Sequence, residues 1–224
     1  MKPWYWLGWS LTRLVSYGYF GLTAYHPERV PARGPCILAA NHASYFDPFC
    51  LGAGVRRELY FLARSSAFRF PLSFILPRVN AVPVDRDGGG MKGLLQIMDI
   101  LQQGQAITLF PEGTRSPDGQ LQRARPGIGL IVIKSGAPVV PVRIFGSFEA
   151  WNRHMKLPRP RRLQVKYGQP LPFSELRAEA AGASKERLKA IYQEVADQIM
   201  AAIAALQPCR DEPSVPDPSQ SAPV

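Results

Sequence analysis

The run Cys36-Ile-Leu-Ala-Ala-Asn-His-Ala-Ser-Tyr-Phe-Asp-Pro48 contains a strand signal, a short loop and a helix start in immediate succession. Its first five residues are apolar and predict a short buried strand. Asp47 followed by Pro48 is typical of a helix start, with Asp47 as the N-cap and proline in the first turn. A buried strand that leads through a loop into a helix is the repeating unit of α/β proteins.

Working outward, strand and helix signals alternate along most of the chain. Short apolar runs predict further strands at 59–62, 82–84, 106–110, 139–144 and 163–167. Apolar spacing predicts a buried helix over 127–135 and a long helix over 184–206, and it places Met91, Leu94, Leu95, Met98 and Leu101 on the apolar face of another helix. We therefore expect an α/β domain with a largely parallel central sheet flanked by helices.

His42 and Asp47 are the first candidates for chemistry. A five-residue offset is about 140° around a regular helix, so only a tight loop would bring the two side chains together. A neutral imidazole accepts a proton near pH 7, and a neighbouring carboxylate can fix its tautomer and stabilise the imidazolium. The alternative is structural, with an aspartate that only starts a helix and a histidine that happens to lie nearby.

A second polar block, Phe110-Pro-Glu-Gly-Thr-Arg-Ser116, follows the predicted strand 106–110. Gly113 permits a sharp turn, and Thr114, Arg115 and Ser116 offer hydrogen-bond donors. The planar guanidinium of Arg115 suits bidentate contact with phosphate. Glu112 could orient that arginine or accept a hydrogen bond from a substrate hydroxyl. The alternative is a polar turn in which Glu112 and Arg115 form an ion pair.

A third block runs Val79-Asn-Ala-Val-Pro-Val-Asp-Arg86 and continues into Asp87-Gly-Gly-Gly90. Arg86 lies between a strand end and a helix start, where backbone N–H groups and the helix dipole favour anions. The three glycines are not a phosphate-binding loop, because no Gly-Lys-Ser/Thr follows them.

Taken in order, these blocks resemble the motifs of a known enzyme family. Asn41-His42 with Asp47, then Asp85-Arg86, then Phe110 to Ser116, then Val139-Val-Pro-Val142 resemble the four motifs of the glycerophospholipid acyltransferases. Within that family the resemblance is nearest to the members that acylate lysophosphatidate. It spans roughly residues 30 to 170. Asn80 departs from the pattern, since many relatives carry glycine there.

The resemblance implies transfer of a fatty acyl group from acyl-CoA or acyl-carrier protein to the free hydroxyl of lysophosphatidate, giving phosphatidate in phospholipid biosynthesis. It implies that His42 is the general base and that Asp47 supports it. The implied acceptor site, for phosphate and glycerol, comprises Arg86, Glu112, Gly113, Thr114 and Arg115. No cofactor beyond the thioester co-substrate is implied. Another lysolipid acceptor stays open, and so does prior acylation of Ser44 with ping-pong kinetics.

The first 26 residues are crowded with aromatic side chains and carry only two cations, Lys2 and Arg13. Trp and Tyr concentrate where hydrocarbon meets lipid headgroups. The uncharged run 14–25 is shorter than the roughly twenty residues that a spanning helix needs. We therefore expect residues 1–26 to be a membrane-associating segment, an interfacial helix or helical hairpin in one leaflet. The alternative is a core helix packed on the domain.

The net charge of +10 requires an anionic partner. From Arg123 to Lys166 the chain has ten Lys or Arg residues and one acid, Glu149. No nucleic-acid-binding motif accompanies them, so anionic lipid headgroups are the expected partner. A non-enzymatic binder of anionic lipid or nucleic acid, or a hydrolase, would share some of these features.

The cysteine and histidine content indicates the redox compartment and argues against a metal site. Three cysteines without ligand spacing, and three histidines without a cluster, predict buried thiols in a reducing compartment and no metal site. We expect a peripheral or monotopic protein at the cytoplasmic face of the cell membrane. The acyltransferase domain is expected over 27–206, followed by a disordered tail rich in Pro and Ser over 207–224.

Overall fold

A seven-stranded sheet forms the centre of the computed structural model, which describes residues 2–84 and 90–209. Its strands are β1 (Thr23–Tyr25), β2 (Cys36–Ala40), β3 (Leu59–Arg64), β4 (Ala81–Val84), β5 (Ala106–Leu109), β6 (Val139–Phe145) and β7 (Gln164–Tyr167). They are ordered β1-β7-β6-β2-β5-β3-β4, and only β6 and β7 are antiparallel. The predicted, largely parallel α/β fold is confirmed.

Helices pack on both faces of this sheet. They are α1 (Pro3–Gly18), α2 (Asp47–Gly54), α3 (Leu72–Ile75), α4 (Gly90–Gln102), α5 (Gly127–Ser135), α6 (Ser147–Trp151), α7 (Ser174–Ala180) and α8 (Lys185–Ala205). Helix α2 begins at Asp47 itself, and Phe46 is its N-cap. The predicted N-cap role of Asp47 is therefore wrong by one residue, because its carboxylate turns back to the preceding loop.

Strand β2 contributes to two hydrophobic cores. Leu38 and Ala40 pack with α2 and with the segment that follows α1. Ile37 and Ala39 face the opposite side, where α4, α5 and α8 bury their apolar residues. A parallel strand covered on both faces has no solvent side, which explains why residues 36–40 are apolar without alternation.

Helix α4 buries only part of the predicted apolar face, in which Leu101 is buried and Leu94 packs against the core. Ile97, Ile100 and Leu101 are buried, whereas Met91 and Leu95 are mostly exposed. The buried face depends on the angle at which the helix crosses the sheet, and apolar spacing alone does not fix that angle.

The N-terminal segment is one helix followed by a strand, not a helical hairpin. Helix α1 runs antiparallel to α2: Trp9 Nε1 donates to the Val55 carbonyl at 2.9 Å, beyond the end of α2, and Phe20 packs on Phe46 at its start. Strand β1, within the predicted membrane segment, pairs with β7 and was not predicted. Among the described residues, no helix combines the length and apolarity needed to cross a bilayer.

The beginning of the predicted tail is attached to the sheet. The Cys209 N–H donates to Gln164 Oε1 at 3.1 Å, and Gln164 Nε2 donates to the Cys209 carbonyl at 2.8 Å. Cys209 is therefore held against β7, and the rest of the predicted tail, 210–224, lies outside the described residues.

Candidate active site

The loops after β2 and β5 meet at the carboxyl edge of the sheet. Ala39 pairs with Leu109 in the parallel ladder, so both loops leave the sheet side by side. The His42 ring stacks on Phe110 with centroids 4.0 Å apart and an interplanar angle of 16°. The Ser116 N–H donates to the His42 carbonyl at 2.7 Å. Two motifs about seventy residues apart in sequence thus form one site, as expected where parallel strands end.

His42 and Asp47 are in direct contact. His42 Nδ1 lies 2.8 Å from Asp47 Oδ2, and Asp47 is fully buried. The same carboxylate oxygen accepts the backbone N–H groups of Ala43 and Ser44, each at 2.7 Å. A neutral imidazole that donates from Nδ1 to this carboxylate has its Nε2 lone pair available as a proton acceptor.

Asn41 and Ser44 hold this loop in place. Asn41 makes two hydrogen bonds with the backbone of Ile144 on β6, at 3.1 and 2.8 Å. The buried Ser44 hydroxyl donates to the Trp151 carbonyl at 2.7 Å and accepts the Phe46 N–H at 3.0 Å. A hydroxyl that is buried and already hydrogen-bonded is poorly placed to be acylated, which disfavours the Ser44 alternative.

Glu112 lies next to the loop that carries His42 and is only 3% exposed. Its Oε1 accepts the His42 N–H at a long 3.4 Å, and no donor among the described residues reaches Oε2. Burial raises the pKa of Glu112 to about 7; backbone hydrogen bonding from His42 and Gln122 opposes this rise, and the charge of Asp47 adds to it. Near neutral pH this carboxyl can therefore be protonated and can donate a hydrogen bond.

Arg115 is held by an aromatic ring and not by Glu112. Its guanidinium carbon lies 3.6 Å from the centroid of the Tyr45 ring, which also packs on Trp151. Within the described residues, Arg115 Nη1 is buried without a hydrogen-bond acceptor. The predicted alternative, an ion pair between Glu112 and Arg115, does not occur. A cation with a spare donor suits an anionic group.

The turn between these two residues requires glycine. Gly113 has a φ of +69° and donates its N–H to the Phe110 carbonyl at 3.0 Å. A Cβ at this position would lie 2.9 Å from Cδ and Nε of Arg125. Thr114 follows, half-buried. Sequence reasoning missed Arg125 as a second cation beside this turn, and its only signal was the basic pair Arg123 and Arg125 before α5.

Comparison with known proteins agrees with this arrangement. Residues 21–145 match the acyltransferase family model. The chain belongs to the acyltransferase family. The acyltransferase is 27% identical to a 1-acyl-sn-glycerol-3-phosphate acyltransferase of Bacillus subtilis, over 80% of this chain and 86% of that one. It is 25% identical to the protein of the same name from Pseudomonas aeruginosa, over 93% and 78%.

A solved structure shows the same fold as this acyltransferase. The 1-acyl-sn-glycerophosphate acyltransferase PlsC of Thermotoga maritima superposes with a TM-score of 0.69 at 22% identity, over 92% of this chain and 83% of that chain. The family membership that the sequence motifs indicated is confirmed by the family model, and the two bacterial relatives agree with it.

Two residues of the second motif region, Arg86 and Asn80, were singled out from the sequence. Arg86 lies outside the described residues, so its predicted place at the acceptor phosphate stays a prediction. Asn80, the departure from the family pattern, has a φ of +60°, and Asn tolerates this left-handed conformation better than most residues other than glycine. Its side chain binds Glu58 and Lys2 at the amino end of β4, away from the His42 edge. The departure from the family pattern at Asn80 therefore affects contacts that support the sheet.

Proposed function

We propose that this acyltransferase transfers a fatty acyl group from an acyl thioester to the free hydroxyl of lysophosphatidate, forming phosphatidate. The observation that carries the proposal is the contact of His42 Nδ1 with the buried Asp47 at 2.8 Å, beside a loop that presents Glu112 and Arg115. The relatives from Bacillus subtilis and Pseudomonas aeruginosa carry that activity in their names.

In the proposed reaction, His42 Nε2 accepts the hydroxyl proton while the acceptor oxygen attacks the thioester carbonyl. Asp47 keeps Nδ1 protonated and stabilises the imidazolium that forms. The new C–O ester bond forms, the C–S bond breaks, and the imidazolium returns the proton to the departing thiolate. A positioned base of this kind contributes about 10² to 10⁴ in rate. No cofactor is needed, because the thioester already activates the acyl group.

The proposed acceptor site is the loop 112–115. Arg115 binds the phosphate through its guanidinium, which stacks on Tyr45, and Arg125 adds positive charge beside Gly113. Glu112 and Thr114 border the glycerol, and Arg86 is assigned to the phosphate by the family resemblance. Arg115 and Arg125 both lie near the start of the loop, where Phe110 stacks on His42. A phosphate bound by these arginines would therefore hold the acceptor hydroxyl near His42.

Helix α1 is proposed to lie on the membrane. Trp4, Leu7, Leu11 and Leu14 follow helical spacing on its outer face, and all are more than half exposed. The only charge in α1, Arg13, is turned to the Ala53 carbonyl at 2.8 Å and stacks on Trp9. A helix that is apolar on its solvent side as well as on its packed side suits a lipid interface.

The basic loop between α6 and β7 extends this proposed membrane surface. Arg153, Lys156, Arg159, Arg161 and Arg162 are all exposed, and the loop has no acidic residue. It borders the end of α1, since the Leu163 N–H donates to the Phe20 carbonyl. We assign this surface to the cytoplasmic leaflet, where anionic headgroups attract cations.

One assay distinguishes lysophosphatidate from other acceptors and acyl transfer from hydrolysis or lipid binding. Purified protein is incubated with lysophosphatidate and either acyl-CoA or acyl-carrier protein thioester, and product lipids are identified by mass. We expect phosphatidate with at least one donor. Product only with a different lysolipid would replace the acceptor, release of free fatty acid without acceptor would indicate a hydrolase, and no turnover of either thioester would favour a lipid-binding protein.

A further inference from the structure

The connection between β3 and β4 exposes an unusual amount of apolar surface. Phe70 is 90% exposed, and Leu72, Phe74 and Ile75 are each about half exposed. Phe70, Phe74 and Ile75 border an open groove of about 410 Å³ together with Pro71, Ser73 and Arg78. A contiguous apolar patch of this kind commonly marks an interaction surface.

The charged residues within this stretch of chain are all cations. From Leu59 to Val84 the chain has three cations, Arg64, Arg69 and Arg78, and no acidic residue. Large apolar side chains flanked by arginine are the composition of surfaces that enter the headgroup region of anionic bilayers.

The patch is continuous with the outer face of α1. Phe74 packs edge-on against Trp4, with ring centroids 6.4 Å apart and an interplanar angle of 82°. The Arg78 guanidinium lies 3.4 Å from the centroid of Phe74 and 5.9 Å from that of Trp4. The connection therefore lies beside the first turns of α1, whereas the basic loop 153–162 lies beside its other end.

We propose that residues 68–76 are a second membrane-contacting element, which enters the same leaflet as α1. A helix that lies on a membrane alone can rotate about its own axis and carry the attached domain with it. A second contact to one side of that axis prevents the rotation and holds the sheet edge with His42 at a constant orientation to the bilayer. This inference rests on the proposed membrane association of α1.

Site-specific fluorescence can locate each contact. All three native cysteines are buried, so an introduced surface cysteine can carry a polarity-sensitive fluorophore, with labelled wild type as the blank. Phe70→Cys and Leu72→Cys report on the connection, and Leu11→Cys reports on α1. Leu95→Cys on α4 is the matched control, because it is exposed and lies on the opposite face of the sheet.

With vesicles containing anionic lipid, we expect a blue shift and quenching by a lipid-borne nitroxide at positions 70, 72 and 11, and neither at 95. A response at position 11 without a response at positions 70 and 72 would overturn the membrane contact of residues 68–76 but not that of α1. The absence of a response at positions 11, 70 and 72 would also overturn the membrane association of α1. The lipid-product assay would still test acyl transfer separately. A response at 70 to monomeric acyl-CoA without vesicles would make the groove a ligand site and overturn the bilayer assignment.

Vesicle partitioning gives a second readout. Phe70→Ser combined with Leu72→Ser should weaken binding about tenfold or more, since both substitutions remove an apolar side chain that would be buried in lipid. Met91→Ser combined with Leu95→Ser on α4 should leave binding unchanged. Equal effects of the two double variants would contradict the proposal.

Discussion

At the scale of single residues, one carboxylate oxygen organises the site. Asp47 Oδ2 accepts His42 Nδ1 and the N–H groups of Ala43 and Ser44. The first contact orients the imidazole, and the other two close the loop that carries it. Replacement of Asp47 would therefore disturb both the proposed base and the local fold, whereas replacement of His42 leaves the backbone contacts of Asp47 intact.

Glu112→Gln should change the pH dependence of stability. Since the folded pKa is raised from 4.5 to about 7, the unfolded carboxyl ionises first as pH rises, and wild-type stability falls across that window. Glutamine cannot ionise, so the variant should gain up to about 3 kcal/mol relative to wild type between pH 4.5 and 7. Urea unfolding at several pH values measures this difference. A difference that stays constant with pH would contradict the buried, protonated carboxyl.

Tyr45→Leu should weaken acceptor binding through Arg115. Loss of the cation–π contact, worth about 0.5–2 kcal/mol, should raise the KM for lysophosphatidate about twofold to thirtyfold while the KM for the thioester is unchanged. Tyr45→Phe keeps the ring and should restore the wild-type value. Equal defects in both variants, or a defect in thioester KM, would show that Tyr45 does not act by positioning Arg115.

The sequence indicated some of these contacts and not others. The approach of His42 to Asp47 follows from a five-residue loop, and the neighbouring loops of β2 and β5 follow from a parallel sheet. The stacking of His42 on Phe110 and of Arg115 on Tyr45 depends on strand register, which no local pattern encodes. Arg125 reaches Gly113 only because the chain turns back after a long loop, so it was missed.

At the scale of elements, α1 packs on α2 with one face and presents an apolar outer face. Its C-terminal end contacts the start of α2 through Phe20 and Phe46, close to Asp47. A membrane on the outer face of α1 would therefore lie close to the His42 site. This geometry suits a lipid acceptor whose acyl chain stays in the bilayer.

The triple change Leu7→Ser, Leu11→Ser and Leu14→Ser should abolish vesicle binding. These side chains are more than half exposed, so the melting temperature should change little. Vesicle co-sedimentation measures binding, and Met91→Ser with Leu95→Ser serves as the control. Unchanged binding of the triple variant would refute the proposed role of α1. Deletion of residues 1–26 is a poorer test, because it also removes β1 and the buried Phe20 and Leu22.

The sequence predicted the helices and strands that are uniformly apolar. It did not predict features that depend on how the elements pack together. The uniformly apolar run 36–40 and the helix 127–135 were predicted at their observed bounds. Strand β1 is only three residues long and follows an aromatic segment, so it has no periodicity of its own. The buried face of α4 was assigned only in part, because Leu94 and Leu101 pack on the core whereas Met91 and Leu95 are exposed.

At the scale of the whole molecule, the fold brings the proposed reaction to one edge of the sheet and the proposed membrane contacts to one face. The carboxyl ends of β2 and β5 bring together His42, Asp47 and the loop 112–115. Helix α1, the β3–β4 connection and the basic loop 153–162 form the proposed lipid-facing surface. The opposite face, covered by α4, α5 and α8, supports the sheet.

The most direct measurement is the rate of acyl transfer to lysophosphatidate in a single turnover, compared between wild type and His42→Ala. The account predicts a fall of about 10² to 10⁴ in the variant, with unchanged lysophosphatidate binding and no covalent acyl-enzyme in either protein. Transfer at the wild-type rate by His42→Ala, or an acyl adduct on Ser44 that forms before product, would contradict it.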